Sequence, residues 1–233
     1  MTESEQLFED FCASLNIRFE RVETGKEQTP DYRIWPWDTE VVCEVKQIEL
    51  NDLERKALAA ASRGEYIVTG GTPGARVRGK ITDASPQLRQ LAKGHCPALL
   101  VLSEESLVPR HLDAYHIRVA MYGLDTIVLG VRRDSAIRPY VRDRKSGPKR
   151  KMNLEHNTSI SAILELRKRG DGNMQANMYH NRFAAIPLNK ELMVADQLRH
   201  FRLREKVEGD FEYWEQIWEP NNAMHATCED ARA

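Results

Sequence analysis

The sequence predicts an α/β protein in which a mixed β-sheet is flanked by helices. Residues 3–15 repeat apolar side chains at helical spacing, so they predict an amphipathic helix. Residues 41–46 are rich in β-branched side chains, which favour a strand. Residues 79–93 again have helical spacing and precede 97–102, a continuous apolar run typical of a buried strand. Helices and strands that alternate in this way are expected to form a sheet covered by helices.

The first helix is expected to pack one apolar face against the rest of the protein. Thr2 or Ser4 could cap its start, since a side-chain oxygen there accepts a bond from a free backbone N–H. Asn16 is expected to end the helix before a short strand at residues 17–20. The candidate core residues of the helix are Leu7, Phe8, Phe11, Cys12 and Leu15.

The next two strands are expected to pair as an antiparallel hairpin. Residues 31–35 form a short candidate strand that begins after Pro30, and proline is tolerated at the first residue of a strand. Residues 36–40 contain turn-forming side chains and lead directly into the strand at 41–46. Paired strands lie about 4.8 Å apart, so Asp31 and Glu44 are expected to come close enough to share one ion.

Alternation along the second strand of this hairpin separates charged from apolar side chains. Glu44 and Lys46 share one face, whereas Cys43 and Val45 lie on the other and can join the core. Magnesium prefers carboxylate oxygens and often takes one or two carboxylates beside water and substrate phosphate. A lysine beside such an ion can orient the attacking water or stabilise charge on phosphorus. The alternative interpretation is that Glu44 and Lys46 form an exposed ion pair.

The combination of Pro30-Asp31 with Glu44-x-Lys46 resembles the active-site motif of the PD-(D/E)xK nuclease superfamily. The resemblance covers about residues 1–102. It implies a restriction-endonuclease-like core with a C-terminal extension, and hydrolysis of phosphodiester bonds in DNA with Mg²⁺ or Mn²⁺. It further implies that Asp31 and Glu44 hold the metal and that Lys46 assists the attacking water.

The same resemblance implies two further contributions from helices. Members of the superfamily often carry a metal-binding glutamate on a helix before the hairpin, and Glu5 is the preferred residue, with Glu9 as the alternative. Many also carry a glutamine near the site or the DNA on the helix that follows the Glu-x-Lys strand. Gln87 precedes a leucine, as that glutamine often does, and is preferred over Gln90.

Basic residues outside the motif predict contacts with nucleic acid, although the net charge of the chain is only −1. Residues 132–151 concentrate basic side chains around Ser146-Gly147-Pro148, which predicts a flexible loop that contacts phosphates. The alternative is a solvated loop, or one that pairs with the acidic residues between 205 and 219. The candidate phosphate contacts are Arg76, Arg78 and Lys80 in the first segment, and Arg144, Lys145, Lys149 and Arg150 in the second.

Composition and length bound the remaining organisation. The chain has 233 residues with 41% hydrophobic and 30% charged side chains, which suits a globular protein without a membrane partner. Its widely spaced cysteines and polar start predict reduced thiols in the cytoplasm. We expect a core over residues 1–131, a basic loop over 132–157, additional strands packed on the core over 158–188, and a helical extension over 189–233 with a disordered end. Aromatic side chains in that extension could pack on the core or form a homodimer interface.

Two other functions compete with a nuclease. Gly74–Lys80 matches the G-x-x-x-x-G-K part of a P-loop, but Ile81 stands where that motif requires a magnesium-binding Ser or Thr. A nucleotide-binding protein is therefore the weaker alternative. The stronger alternative is a catalytically inactive nucleic-acid-binding or assembly module on the same fold, although the complete set of two acids and a lysine argues against it.

Overall fold

The computed structural model describes residues 1–23, 29–68, 70–106, 111–131, 138–168, 170, 172–204 and 212–218. The helices are α1 (Glu3–Ser14), α2 (Asp52–Ala61), α3 (Ala75–Ala92) and α4 (Ala114–Tyr122). The strands are β1 (Arg18–Arg21), β2 (Tyr32–Trp35), β3 (Val41–Ile48), β4 (Ala98–Glu104), β5 (Asp125–Gly130), β6 (Tyr140–Ser146), β7 (Ala162–Lys168), β8 (Met174–His180), β9 (Leu198–Arg204) and β10 (Tyr213–Trp218).

Eight strands form one mixed sheet in the order β1-β2-β3-β4-β7-β8-β9-β10. The first three strands are antiparallel, β3, β4 and β7 are mutually parallel, and β8 is antiparallel to β7 but parallel to β9. Strands β5 and β6 form a separate antiparallel pair. The predicted class, a mixed sheet flanked by helices, is confirmed.

The two faces of the sheet carry two apolar cores. Helix α1 buries Phe8 and Phe11 against Val41, Cys43 and Val45 of β3. On the opposite face, α3 and α4 pack on the even-numbered side chains of the same strand and on β4, with Val77, Ile81, Leu88, Ile117 and Met121 among the buried residues. Because β3 and β4 are covered on both sides, their sequences are nearly continuous apolar runs. Glu44 interrupts that pattern on the α3 side.

The start of α1 forms the expected cap. The Thr2 hydroxyl accepts a hydrogen bond from the Glu5 N–H, and the Glu5 carboxylate accepts one from the Thr2 N–H at 2.7 Å. This reciprocal arrangement satisfies two backbone donors that a helix start otherwise leaves free. Asn16 follows the helix with a positive φ of 53°, a conformation that asparagine tolerates better than most residues.

The predicted helical extension over 189–233 is wrong for most of its described part, where one short 3₁₀ helix, Lys190–Leu192, is followed by strands. Residues 198–204 and 213–218 form β9 and β10, and β9 pairs with the edge of β8. Along β9 the side chains of Leu198, His200 and Leu203 are buried, whereas Arg199 and Arg202 are exposed. Pairing with the edge of β8, which is distant in sequence, therefore outweighed the helical propensity of this segment. The predicted disordered end at 219–233 lies outside the described residues.

The predicted basic loop over 132–157 is also wrong in part. Tyr140–Ser146 forms β6, which pairs with β5. A two-stranded ribbon exposes much of both faces, so it accepts alternating charged residues that a central strand would exclude. Residues 132–137 lie outside the described residues.

The structure bears on two further predictions, the P-loop match and the packing of the C-terminal aromatic residues. Residues 75–80 form the first turns of α3, so the glycine-rich P-loop match lies in a helix and not in a loop that could wrap a phosphate. The aromatic residue Trp214 is half-buried and packs against the core, where its indole N–H donates to the Ala114 carbonyl and its ring contacts Tyr122 and Tyr179. Within the described ranges, no helix is both long and apolar enough to span a bilayer.

Candidate active site

The antiparallel pairing of β2 and β3 brings the two motif carboxylates to the same place. Tyr32 lies opposite Cys43, so Asp31, just before β2, continues the register toward Glu44. One carboxylate oxygen of Asp31, Oδ2, accepts a hydrogen bond from the Val45 N–H at 2.8 Å. This bond ties Asp31 to β3 beside Glu44, as the hairpin interpretation requires.

Glu44 is a buried carboxylate with unusually little compensation. Its side chain is fully buried, and its Oε1 atom forms an ion pair with Lys46 Nζ. Apart from this ion pair, no side chain among the described residues donates a hydrogen bond to either oxygen. The Asp31 N–H lies close enough to lower the pKa of Glu44 slightly, but it does not reach full hydrogen-bond geometry. A buried charge that is not fully paired and hydrogen-bonded is costly, so the site favours either a proton or a cation at Glu44.

The protonation equilibria of both acids reflect this burial. Burial raises the pKa of Glu44 to about 7, and the Asp31 charge adds to this effect while Lys46 opposes it. Burial also raises the pKa of Asp31, although the Val45 N–H and Lys46 oppose the change. The two carboxyl groups thus interact electrostatically, and a bound cation would favour the charged form of both.

The donor set fits a hard divalent cation that keeps part of its water shell. Asp31 and Glu44 supply carboxylate oxygens, and Lys46 lies beside them with 27% of its side chain exposed. Across the described ranges there is no group of three or more His, Cys, Asp or Glu side chains arranged to hold a metal. Two carboxylates nevertheless correspond to what magnesium often takes from a protein, with water and phosphate oxygens completing the octahedron.

The two glutamates of α1 are engaged in different ways. Glu9 accepts hydrogen bonds from Arg21 Nε at 2.6 Å and from the Tyr32 hydroxyl at 3.0 Å. Glu5 closes the helix cap and lies 4.0 Å from Arg21, and its charge contributes to the raised pKa of Asp31. Glu5 is therefore electrostatically coupled to the motif, whereas Glu9 is held by Arg21 and Tyr32.

Arg21 was not singled out from the sequence. Its guanidinium pairs with Glu9, and its charge acts on Asp31, so it links α1 to the hairpin. The signal was weak, because a basic residue at a strand end is common. Only the pairing of β1 with β2, which aligns Arg21 with Tyr32, brings it to this position.

Gln87, the preferred glutamine of α3, contacts the segment that precedes the motif aspartate. Its side-chain amide donates a hydrogen bond to the Thr29 carbonyl at 3.3 Å. This contact connects α3 to the segment that leads through Pro30 into Asp31. Gln90, the alternative, has an exposed side chain.

The predicted nucleic-acid contacts do not form one surface. Arg76 is neutralised by Glu54 at 2.7 Å, and Lys145 lies 3.4 Å from Asp143 on the β5–β6 ribbon. Lys80 is half-buried on α3, and Arg144 is half-buried on β6. In contrast, the structure brings three of the predicted residues together around one pocket, namely Arg78, Lys149 and Arg150.

A second acid–base pair on the sheet was missed. Glu165 and Arg167 of β7 form an ion pair, and register through β4 places Glu165 on the same sheet face as Lys46. Glu165 Oε2 also accepts hydrogen bonds from the Asn177 amide at 3.1 Å and the Tyr179 hydroxyl at 2.8 Å. The spacing Glu-x-Arg in an apolar strand repeats Glu44-x-Lys46 and was the signal available in the sequence.

No family model, curated protein or solved structure matches this chain. The functional interpretation therefore depends on the motif residues and on their geometry.

Proposed function

We propose that the protein is a metal-dependent nuclease with a restriction-endonuclease-like core, which hydrolyses phosphodiester bonds in DNA with Mg²⁺ or Mn²⁺. The observation that carries the proposal is the buried Glu44 carboxylate, which has only Lys46 as a countercharge and has Asp31 beside it. A globular protein gains no stability from such a group, so a ligand of opposite charge is the physical reason to keep it.

Asp31 and Glu44 would hold the cation in this proposal. When bound, the metal would polarise the phosphoryl oxygen and lower the pKa of a coordinated water. The hydrogen bond from the Val45 N–H fixes one oxygen of Asp31, which leaves the other oxygen for the ion. Burial of Glu44 in turn reduces competition from bulk water for its oxygens.

Lys46 would act on the attacking water and on the developing phosphorane charge. Its ammonium group is partly exposed, so a substrate can reach it from solvent. In the absence of metal it neutralises Glu44. With a cation held by Glu44, the ammonium group of Lys46 would be free to donate its hydrogen bonds to water or phosphate oxygen.

The choice of DNA as substrate comes from the resemblance to the PD-(D/E)xK superfamily. The element order of α1, an antiparallel hairpin, helices and a parallel buried strand supports that resemblance. Glu5 would supplement the site through its charge near Asp31, and Gln87 would position the Thr29–Asp31 segment.

A cleavage assay with matched variants tests the proposal. Wild type, Lys46→Ala and the control Lys56→Ala, which removes an exposed lysine from α2, are incubated with linear, circular, branched and single-stranded DNA plus Mg²⁺ or Mn²⁺. We expect cleavage by wild type and the control and loss of cleavage by Lys46→Ala. Equal cleavage by all three proteins would indicate contamination and defeat the assignment.

Calorimetry separates metal binding from turnover. Wild type should release or absorb heat on titration with Mn²⁺, and Asp31→Ala should abolish that signal. Duplex binding by wild type without metal binding or cleavage would instead support the inactive nucleic-acid-binding module.

A further inference from the structure

A second charged site lies on the other side of α3. A shallow pocket of about 420 Å³, largely open to solvent, lies between the second turn of α3 and the segment that follows β6. We call it the Arg78 pocket, and its lining residues are Arg78, Gly79, Thr82, Lys149, Arg150 and Lys151. Four of these six residues are cationic, and none of those described is an aspartate or glutamate.

Arg78 is the buried member of this group. Only 7% of its surface is exposed, and its Nη1 atom is buried without a hydrogen-bond partner among the described residues. Burial lowers the pKa of its guanidinium, and no carboxylate opposes that effect. An unpaired buried guanidinium is costly, which contrasts with Arg76, two residues earlier, where Glu54 provides a countercharge.

The segment that carries the other three cations is bonded to the rest of the protein through its backbone. The Lys151 N–H donates to the Ala120 carbonyl at 3.0 Å, and the Met152 N–H donates to the Met121 carbonyl at 2.8 Å, so the segment is bonded to α4. The turn before it depends on a close approach, because a side chain at Gly123 would meet the Gly147 backbone at 2.4 Å. The fold therefore places a basic segment beside the buried Arg78.

We propose that the Arg78 pocket binds a phosphate group of the nucleic-acid backbone. A guanidinium presents a planar fork that matches phosphate oxygens, and the exposed Lys149 and Arg150 can approach the same anion from the solvent side. The Thr82 hydroxyl already donates to the Arg78 carbonyl at 2.9 Å, so the donors to the anion come from the cations. The choice of nucleic acid over a small anion rests on the proposed nuclease function.

Helix geometry sets this contact apart from the candidate active site. Gln87, which contacts Thr29, follows Arg78 by nine residues, and at about 100° per residue the two side chains leave α3 on opposite flanks. A duplex held at both places would cross α3. The pocket would therefore hold a backbone phosphate distant from the scissile one and add affinity without taking part in the chemistry.

Duplex binding measured without divalent metal tests the pocket independently of catalysis. A labelled duplex is titrated with wild type in a chelating buffer, and with Lys149→Ala/Arg150→Ala and the control Lys56→Ala/Arg199→Ala, which removes the same charges from exposed positions elsewhere. We expect the pocket variant to lose about tenfold in affinity, and its slope of log K against log salt to fall by about 1–2. The control should change both quantities much less.

Defined outcomes would overturn the proposal. Equal losses in both double variants would show general charge attraction, and no loss in the pocket variant would show that the pocket is not used. Displacement of the labelled duplex by millimolar inorganic phosphate, as effective as displacement by unlabelled duplex, would identify a small-anion site instead. Arg78→Met tests the buried cation, with a thermal melt to verify folding, and a folded variant with unchanged affinity would also defeat the proposal.

The result is independent of the proposed activity. The chelating buffer removes any metal that Asp31 and Glu44 would hold, so the measured affinity does not depend on metal binding at the candidate active site. A wild type that binds duplex through the pocket but cleaves nothing would retain the pocket and reject the nuclease. Cleavage with unchanged binding in the pocket variant would do the reverse.

Discussion

Two strands of the same sheet carry the same local pattern and use it differently. Glu44-x-Lys46 on β3 and Glu165-x-Arg167 on β7 both place a buried glutamate beside a cation on the α3 side of the sheet. Glu165 is satisfied further by Asn177 and Tyr179, whereas Glu44 has no such donors among the described residues. The hydrogen-bond complement, and not the acid–base pair itself, distinguishes a structural carboxylate from a candidate ligand.

The second acid sharpens the contrast. Asp31 lies next to Glu44 and raises its pKa, which a purely structural pair would be expected to avoid. Beside Glu165 the neighbouring polar groups are an amide and a hydroxyl, which stabilise negative charge without repelling it. The Glu44 site therefore favours a cation. At Glu165 one oxygen, Oε2, has two donors, and the other, Oε1, has only its ion pair with Arg167.

Replacing each glutamate with glutamine should affect DNA cleavage differently: the Glu44 variant should lose it and the Glu165 variant should keep it. Glu44→Gln removes a proposed metal ligand while keeping its shape, so cleavage should fall by at least about 10³-fold. Glu165→Gln should retain most of its cleavage, because that residue has no proposed contact with metal or substrate. The measurement is the initial rate on the best duplex substrate, and comparable losses in both variants would erase the distinction.

The free energy of unfolding should respond in the reverse order, with a larger loss in Glu165→Gln than in Glu44→Gln. Glu165→Gln leaves Arg167 without its charged partner in a site where Arg167 is only 12% exposed, and breaking such a buried pair costs roughly 3–5 kcal/mol. Glu44→Gln should be neutral or stabilising near pH 8, because it removes a buried charge that Lys46 compensates incompletely. Urea denaturation of both variants checks this, and a greater loss of stability in Glu44→Gln would reverse our interpretation.

The pH dependence of metal-free stability should report Glu44 directly. Its folded-state pKa of about 7 exceeds the ordinary value of 4.5, so the folded state binds the extra proton. The contribution of this group is fully present below pH 4.5 and is lost as the pH rises through about 7, a change on the order of 3 kcal/mol.

Glu44→Gln is the reference for that measurement, since other carboxyl groups titrate in both proteins. The difference in free energy of unfolding between the two proteins should change across pH 4.5–7 and be constant above about pH 8. A difference that does not vary with pH would show that the Glu44 carboxyl ionises like an exposed one.

The smallest effect should come from Gln87, which bonds to the segment before Asp31. Gln87→Ala removes the 3.3 Å hydrogen bond to Thr29, a loss of about 0.5–1.5 kcal/mol in free energy of unfolding. The Mn²⁺ affinity of the variant should weaken by a few fold, because the segment before Asp31 gains freedom. Gln90→Ala on the same helix is the matched control, and equal effects would remove the positioning role of Gln87.

Local patterns determined much of the core of the fold. The apolar spacing of α1 with its cap at Thr2, the hairpin of β2 and β3, and the continuous run of β4 all follow from nearest neighbours along the chain. The same alternation predicted that Glu44 and Lys46 share one face. These features can be predicted from the sequence because each depends on side chains within a few residues of one another.

Tertiary structure decided what local patterns left open. The segment at 198–204 became a strand because the edge of β8 offered backbone partners, and Glu44 became buried because α3 covers its face of the sheet. Arg78 and residues 149–151 line one pocket although they are far apart in the chain. The same is true of Glu165 and its donor Tyr179, which lie on different strands. Burial and hydrogen bonding are properties of the assembled fold. The sequence therefore predicted the candidate ligands, but only the packing showed that Glu165 has neighbouring amide and hydroxyl donors and that Glu44 has none among the described side chains.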